Sequence, residues 1–235
     1  MKSNVGYNWL RAISVEFPHV EFVNRGENGS QIPGVLDIIA RGFEFHPSLI
    51  LVHIGGNDVS CSYNEIPALN SSRKGRKPTN QIVFSEEFTE MLRLLSNFKV
   101  PIGVFNLKPQ GEDLSSPLNE TIRTYNGIIS KLVSGFPNAT LLDIYTPFVS
   151  EISRQRELLT YKASSSRITD IVCPGRIVRV MLLHIIFLGW ITWNWLGERE
   201  GFVMSCDGLH CNERAGRILC DVSRRFLAEK LRREN

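Results

Sequence analysis

The apolar residues of the chain fall into short continuous runs and longer stretches in which they recur every three or four positions. The short runs, rich in Val, Ile, Leu and Phe, predict buried β-strands at residues 21–24, 49–54, 102–107 and 140–144. The longer stretches predict helices at residues 5–16, 31–44, 86–98, 118–134 and roughly 147–160. Because strands and helices alternate, we expect a parallel sheet with helices on both faces.

Capping residues predict where two of the helices begin. Ser85 is expected to cap the helix at 86–98, whose first turn carries Glu86 and Glu87. Asn212 is expected to cap a C-terminal helix of about five turns, in which the apolar residues keep helical spacing.

Residues 59–84 are mostly polar with scattered Gly and Pro, and they follow directly after the second predicted strand. We expect this stretch to be a loop insertion. Since ligands bind at the carboxyl ends of strands in open α/β sheets, such a loop is placed to border a site. A flexible surface insertion is an equally good interpretation.

The most apolar stretch, residues 177–197, contains no Asp, Glu, Lys or Arg from position 180 onward. We expect a buried or cleft-lining helix there, with Trp190, Trp193 and Trp195 partly covering a groove of acyl size. The alternative is that residues 180–197 span a membrane, although a span normally needs about 20 apolar residues.

The composition restricts the function classes. With 235 residues, 43% of them hydrophobic, the chain is long enough to bury a full core as one domain over residues 1–235. A net charge of +3, without basic runs interleaved with aromatic residues, argues against a nucleic-acid partner. Five cysteines at no metal-ligand spacing argue against a zinc site or a disulfide framework. The first residues lack the pattern of a signal peptide, and the compartment stays open.

Two glycine-bearing turns carry groups that can stabilise negative charge. The sequence HIGGNDVS at 53–60 places Asn57 and Asp58 after the second predicted strand. The amide of Asn57 can donate to a developing oxyanion, and Asp58 can brace the loop through backbone N–H groups. The sequence NRGENGSQIPG at 24–34 offers the backbone N–H of Gly29 just before a helix. Taken alone, each motif is more often a plain turn.

A third motif, DGLHCNERAG at residues 207–216, pairs an acid with an imidazole. Asp207 can accept from one ring nitrogen of His210, which fixes the tautomer and leaves the other nitrogen as a base. By itself, such a pair before a helix is usually a cap and a surface residue.

In this order along the chain, the three motifs resemble the blocks of the SGNH hydrolase superfamily, also called GDSL esterases and lipases. The resemblance implies a three-layer α/β/α sandwich with a parallel flavodoxin-like sheet. It also implies hydrolysis of a carboxylic ester of a small molecule, a lipid or a carbohydrate. No cofactor or metal is implied.

The resemblance also implies a role for each candidate residue. Gly29 and Asn57 match the residues that bind the oxyanion, with Asp58 in support. His210 matches the general base and Asp207 its orienting partner. We expect these residues to converge at one edge of the sheet.

The family's first block, a strand ending in Gly-Asp-Ser, has no counterpart in the chain. That block supplies the nucleophile serine. Ser3 is preceded by neither an apolar strand nor Gly-Asp, so it is not assigned the role. We therefore expect a shortened, inactive esterase that lacks its first strand and folds poorly alone. The alternatives are a non-catalytic binding module and a membrane-anchored protein.

Overall fold

The computed structural model describes residues 5–43, 45–62, 79–159, 174–186 and 190–232. The strands of this part of the chain are β1 Ile50–Val52, β2 Ile102–Phe105 and β3 Ala139–Leu142. They form one parallel sheet in the order β1-β2-β3, with Ile50 opposite Ile102 and Ile102 opposite Ala139. The α/β fold with a parallel sheet is therefore confirmed.

Helices occupy most of the remaining described chain. They are α1 Trp9–Glu16, α2 Ile32–Ala40, α3 Gly56–Ser62, α4 Gln81–Ser96, α5 Pro117–Val133, α6 Tyr145–Leu159, α7 Pro174–Ile186, α8 Trp193–Glu200 and α9 Glu213–Leu231. The start of α9 confirms Asn212 as its N-cap, because the Asn212 side-chain oxygen accepts from the backbone N–H of Ala215.

The first predicted strand was wrong. Residues 21–24 belong to no helix or strand, although their composition favours extended backbone. A β-strand depends on backbone hydrogen bonds to a neighbour, and the ladders of the described sheet join β1 to β2 and β2 to β3. Local composition does not reveal whether such a neighbour is present.

The start of α4 also differs from the prediction. Asn80 caps this helix by accepting from the backbone N–H groups of Ile82 and Val83. Ser85 lies inside the helix, where its hydroxyl donates to the carbonyl of Gln81. The helix begins earlier because Asn80 provides the cap, and Phe84 in the first turn is fully buried.

The predicted irregular stretch at 59–84 is helical at both described ends. Residues 59–62 belong to α3 and residues 81–84 to α4. Residues 63–78 lie outside the described part of the chain.

The apolar stretch at 177–197 does not form the single helix that we expected. Helix α7 ends at Ile186, and α8 starts after Thr192, whose hydroxyl accepts from the backbone N–H of Trp195. Trp193 is buried and stacks on His184, with 3.8 Å between the ring centroids. Trp190 is 88% exposed. Among the described helices, none is both long and apolar enough to cross a bilayer.

The chain divides into two compact units, which we describe separately. Their ranges are Met1–Val23, Pro109–Asn119 and Ile144–Arg225 for the first unit, and Asn24–Lys108, Glu120–Asp143 and Phe226–Asn235 for the second. The first unit holds α7 and α8, and the second holds the parallel sheet. The single domain expected over residues 1–235 stays a prediction.

Candidate active site

The acid and the imidazole of the DGLH motif are hydrogen-bonded to each other in the first unit. Nδ1 of His210 lies 2.6 Å from Oδ2 of Asp207. Asp207 is fully buried, whereas the His210 side chain is 36% exposed. Because a carboxylate only accepts, Nδ1 carries the proton and Nε2 remains available as a base in the neutral ring.

Asp207 is stabilised as a carboxylate. Burial by itself would raise the pKa of Asp207, but its hydrogen bond to His210 and the backbone N–H groups of Leu209 and His210 outweigh burial and lower that pKa. Both backbone N–H groups donate to Oδ1, at 2.9 Å and 2.7 Å respectively. The charged form of Asp207 is therefore held in place to orient the imidazole.

A tight turn brings the pair together. Ser205 and Cys211 form an antiparallel bridge, in which the N–H of Cys206 donates to the carbonyl of His210 at 2.9 Å. Within the turn, Gly208 has a φ of +97°, a conformation that side chains rarely adopt. The glycine of DGLH thus allows the chain to reverse between the acid and the base.

The N-terminal segment of the same unit packs against this turn. The backbone N–H of Tyr7 donates to the carbonyl of Cys211 at 2.8 Å. Gly6 approaches so closely that a Cβ at this position would lie 2.6 Å from the Cys211 oxygen and 3.2 Å from Cβ of His210. Residues just after the chain start therefore lie beside the candidate base.

Glu112 is a buried carboxylate in the first unit that no sequence motif indicated. Its two oxygens accept from the backbone N–H groups of Val203, Met204 and Ser205 at 2.7 to 2.9 Å. Burial raises the pKa of Glu112, and these donors offset part of that rise. The partners lie 91 to 93 residues away along the chain, so no local pattern could have identified the residue.

The oxyanion candidates lie in the second unit, at the start of α3 and in the turn before α2, and these two segments are hydrogen-bonded to each other. The side-chain amide of Asn57 donates to the carbonyl of Ser30 at 2.8 Å. Oδ1 of buried Asp58 accepts from the backbone N–H of Ile32 at 3.1 Å. Gly29 precedes these partners and has a φ of +75°. An amide NH₂ carries two donors, and the bond to Ser30 uses one of them.

The structure thus pairs Asp207 with His210, and it joins the start of α3, which holds Asn57 and Asp58, to the segment that follows Gly29. Convergence of the two sets at one edge of the sheet stays a prediction. Across the described residues, no group of three His, Cys, Asp or Glu side chains is placed to hold a metal ion.

A model of the GDSL-like Lipase/Acylhydrolase family matches residues 2–163. This range includes Gly29, Asn57 and Asp58, and it ends before Asp207 and His210. No curated protein sequence matches the chain.

Solved structures of esterases are similar in fold. An acetyl xylan esterase aligns with a TM-score of 0.62 at 14% identity, covering 92% of this chain and 88% of that protein. A catalytic mutant of an acetylxylan esterase from Geobacillus stearothermophilus has a TM-score of 0.59 at 15% identity, with 97% and 83% covered. A member of the lipolytic G-D-S-L family from Veillonella parvula has a TM-score of 0.52 at 16% identity, with 94% and 88% covered. At these identities, the similarity shows the fold.

Proposed function

Because the chain belongs to the GDSL-like lipase and acylhydrolase family, a family of ester hydrolases, we propose that it acts by acyl transfer with His210 as the general base. The observation that carries this proposal is the 2.6 Å hydrogen bond between His210 and Asp207. It combines a buried carboxylate with a partly exposed imidazole, which is the arrangement that a general base needs.

In the proposed reaction, Nε2 of His210 removes the proton of a serine hydroxyl as the serine oxygen attacks the ester carbonyl. The N–H of Gly29, the amide of Asn57 and the N–H of the serine donate to the resulting oxyanion. The tetrahedral intermediate collapses, and protonated His210 gives its proton to the leaving alcohol. Water then attacks the acyl-enzyme with His210 again as base, which releases the acid and regenerates the serine.

In this family the nucleophile serine belongs to a Gly-Asp-Ser motif. The 235 residues contain no such motif. We propose that a strand ending in this motif would precede the present residues and pair with β1. One observation supports this pairing: β1 is an outer strand of the sheet in the described part of the chain, and a further strand would add on its outer side.

The proposed substrate is a carboxylic ester with a short acyl group, on a small molecule or a carbohydrate. The family supports an ester, and the similarity to acetylxylan esterases favours acetyl esters as the first substrates to assay.

The proposal can be tested by adding to the N-terminus a strand that ends in Gly-Asp-Ser. We expect the 235-residue chain to show no measurable cleavage of p-nitrophenyl acetate, and the extended chain to cleave it. His210→Ala in the extended chain should abolish cleavage. The matched control is His19→Ala, which changes an exposed histidine.

Each other result contradicts a particular part of the proposal. Cleavage by the 235-residue chain that depends on His210 would show that the nucleophile lies within these residues. Cleavage by the extended chain that survives His210→Ala would remove His210 from the mechanism. A folded extended chain without turnover would favour a non-catalytic binding module.

A further inference from the structure

The buried carboxylate of Glu112 has no part in the proposed reaction, yet it is one of the most heavily hydrogen-bonded groups in its unit. Only 4% of the residue is exposed. Oε2 accepts from Val203 N–H, and Oε1 accepts from the N–H groups of Met204 and Ser205 and from the Ser205 hydroxyl. One side chain thus fixes the backbone that leads into the DGLH turn.

The hydrogen bonds continue from Glu112 to the turn itself. The Ser205 hydroxyl, which donates to Glu112, accepts from the backbone N–H of Gly208 at 3.1 Å. The backbone N–H of Gly111 donates to the carbonyl of Gly208 at 3.1 Å. Gly208 lies between Asp207 and His210. The segment around Glu112 therefore holds the turn through both the backbone N–H and the carbonyl of Gly208.

The segment that carries Glu112 is itself held tightly. Glu112 has a φ of +59°, which is rare for a residue with a side chain and persists only where surrounding contacts impose it. Buried Asn119 supplies such contacts, because its side chain accepts from Gln110 N–H and donates to the carbonyls of Gln110 and Asp113. Arg156 donates to the carbonyl of Glu112.

We propose that Glu112 is a positioning residue that sets the geometry of the Asp207–His210 hydrogen bond through the backbone of residues 203–208. The inference rests on the proposed function for the role of His210. It concerns a bond that can be observed without turnover. Small displacements of a base reduce catalysis strongly, so a positioning residue must be held in place and must be connected to the turn. The strained backbone at Glu112 and the hydrogen-bond network that ends on Gly208 meet these two requirements.

The proposal is tested by proton NMR of the 235-residue chain and of the chain extended by a strand ending in Gly-Asp-Ser, with the same variants made in both. If the 235-residue chain does not fold alone, the extended chain provides the spectra. The signal followed is the downfield resonance of the proton between His210 Nδ1 and Asp207, assigned by its loss in His210→Gln. Glu112→Gln keeps an acceptor for Met204 and Ser205 and replaces the acceptor for Val203 with a donor. We expect this variant to lose or shift the resonance while the circular dichroism remains that of a folded protein.

The matched control is Glu213→Gln, because the Glu213 carboxylate accepts from the backbone N–H groups of Trp193 and Asn194 at the start of α8. This variant should keep the resonance. If Glu112→Gln does not fold, Ser205→Ala provides the test of the proposal, because it removes the hydroxyl that links Glu112 to Gly208.

In the extended chain, we expect Glu112→Gln to lower kcat by about 10²-fold with KM nearly unchanged. An unshifted resonance in folded Glu112→Gln, or in Ser205→Ala where Glu112→Gln is unfolded, would overturn the proposal. Failure of the extended wild-type chain to hydrolyse esters would contradict the proposed function and leave the NMR result standing.

Discussion

The DGLH turn in the first unit and the start of α3 in the second each place a fully buried aspartate close to a more exposed candidate residue. Asp207 lies three residues before His210, and Asp58 directly follows Asn57. Asp207 bonds directly to the imidazole of His210. Asp58 bonds to the backbone of Ile32, and Asn57 is held by a carbonyl.

This difference teaches what each aspartate contributes. The loss of Asp207 should remove an interaction of the proposed base, and so act on catalysis. The loss of Asp58 should loosen the start of α3 against the start of α2, and so act mainly on stability. Activity is measured in the chain extended by a strand that ends in Gly-Asp-Ser.

The largest effect is expected for Asp207→Asn. An amide at this position no longer favours the Nδ1–H tautomer or stabilises the imidazolium, and kcat should fall by about 10⁴-fold. Ester hydrolysis at saturating substrate measures the effect. Asp221→Asn, at an exposed position of α9, is the matched control and should leave kcat unchanged. A loss below tenfold for Asp207→Asn would mean that His210 is oriented by other groups.

Asn57→Ala should lower kcat by about 10²- to 10³-fold, because it removes one oxyanion donor. KM should change little, since that donor acts mainly on the transition state. Steady-state kinetics with p-nitrophenyl acetate separate the two constants, and exposed Asn97→Ala serves as the control. Unchanged kcat with lowered stability would assign Asn57 a structural role through Ser30 alone.

Asp58→Ala should act on stability. It leaves the buried N–H of Ile32 without this acceptor, which costs about 1–3 kcal/mol in the free energy of unfolding. Urea unfolding measures the change. Asp37→Ala, at an exposed position of α2, should stay within about 0.5 kcal/mol of wild type. A smaller loss for Asp58→Ala than for Asp37→Ala would show that the bond to Ile32 does not stabilise the turn.

The smallest effect concerns acid stability. The pKa of Asp207 is lower in the folded than in the unfolded chain, where it is about 3.9. Such a group stabilises the fold above its unfolded pKa and loses this contribution as the pH falls through the folded value. Urea unfolding from about pH 7 down to about pH 3 should therefore show a shallower acid decline for Asp207→Asn. An identical decline in both proteins would contradict the assigned shift.

The local sequence determined those elements whose signals lie within a few residues. Helix α5 was predicted at 118–134 and found at Pro117–Val133, because its apolar residues repeat with helical spacing. Asn212 was identified as a cap because its partner lies three residues away. The Asp207–His210 pair was predicted for the same reason, since a three-residue separation across a glycine turn is itself local.

Tertiary structure decided the elements whose partners are distant. Residues 21–24 have strand composition and form no strand, because a ladder needs a neighbour that composition does not specify. The apolar stretch separates into α7 and α8, with Trp193 buried against His184 and Trp190 exposed, although both tryptophans look alike in sequence. Glu112 accepts hydrogen bonds from backbone N–H groups 91 to 93 residues away along the chain. Helical period and capping are short-range interactions, whereas burial and strand pairing depend on which remote residues the fold brings close.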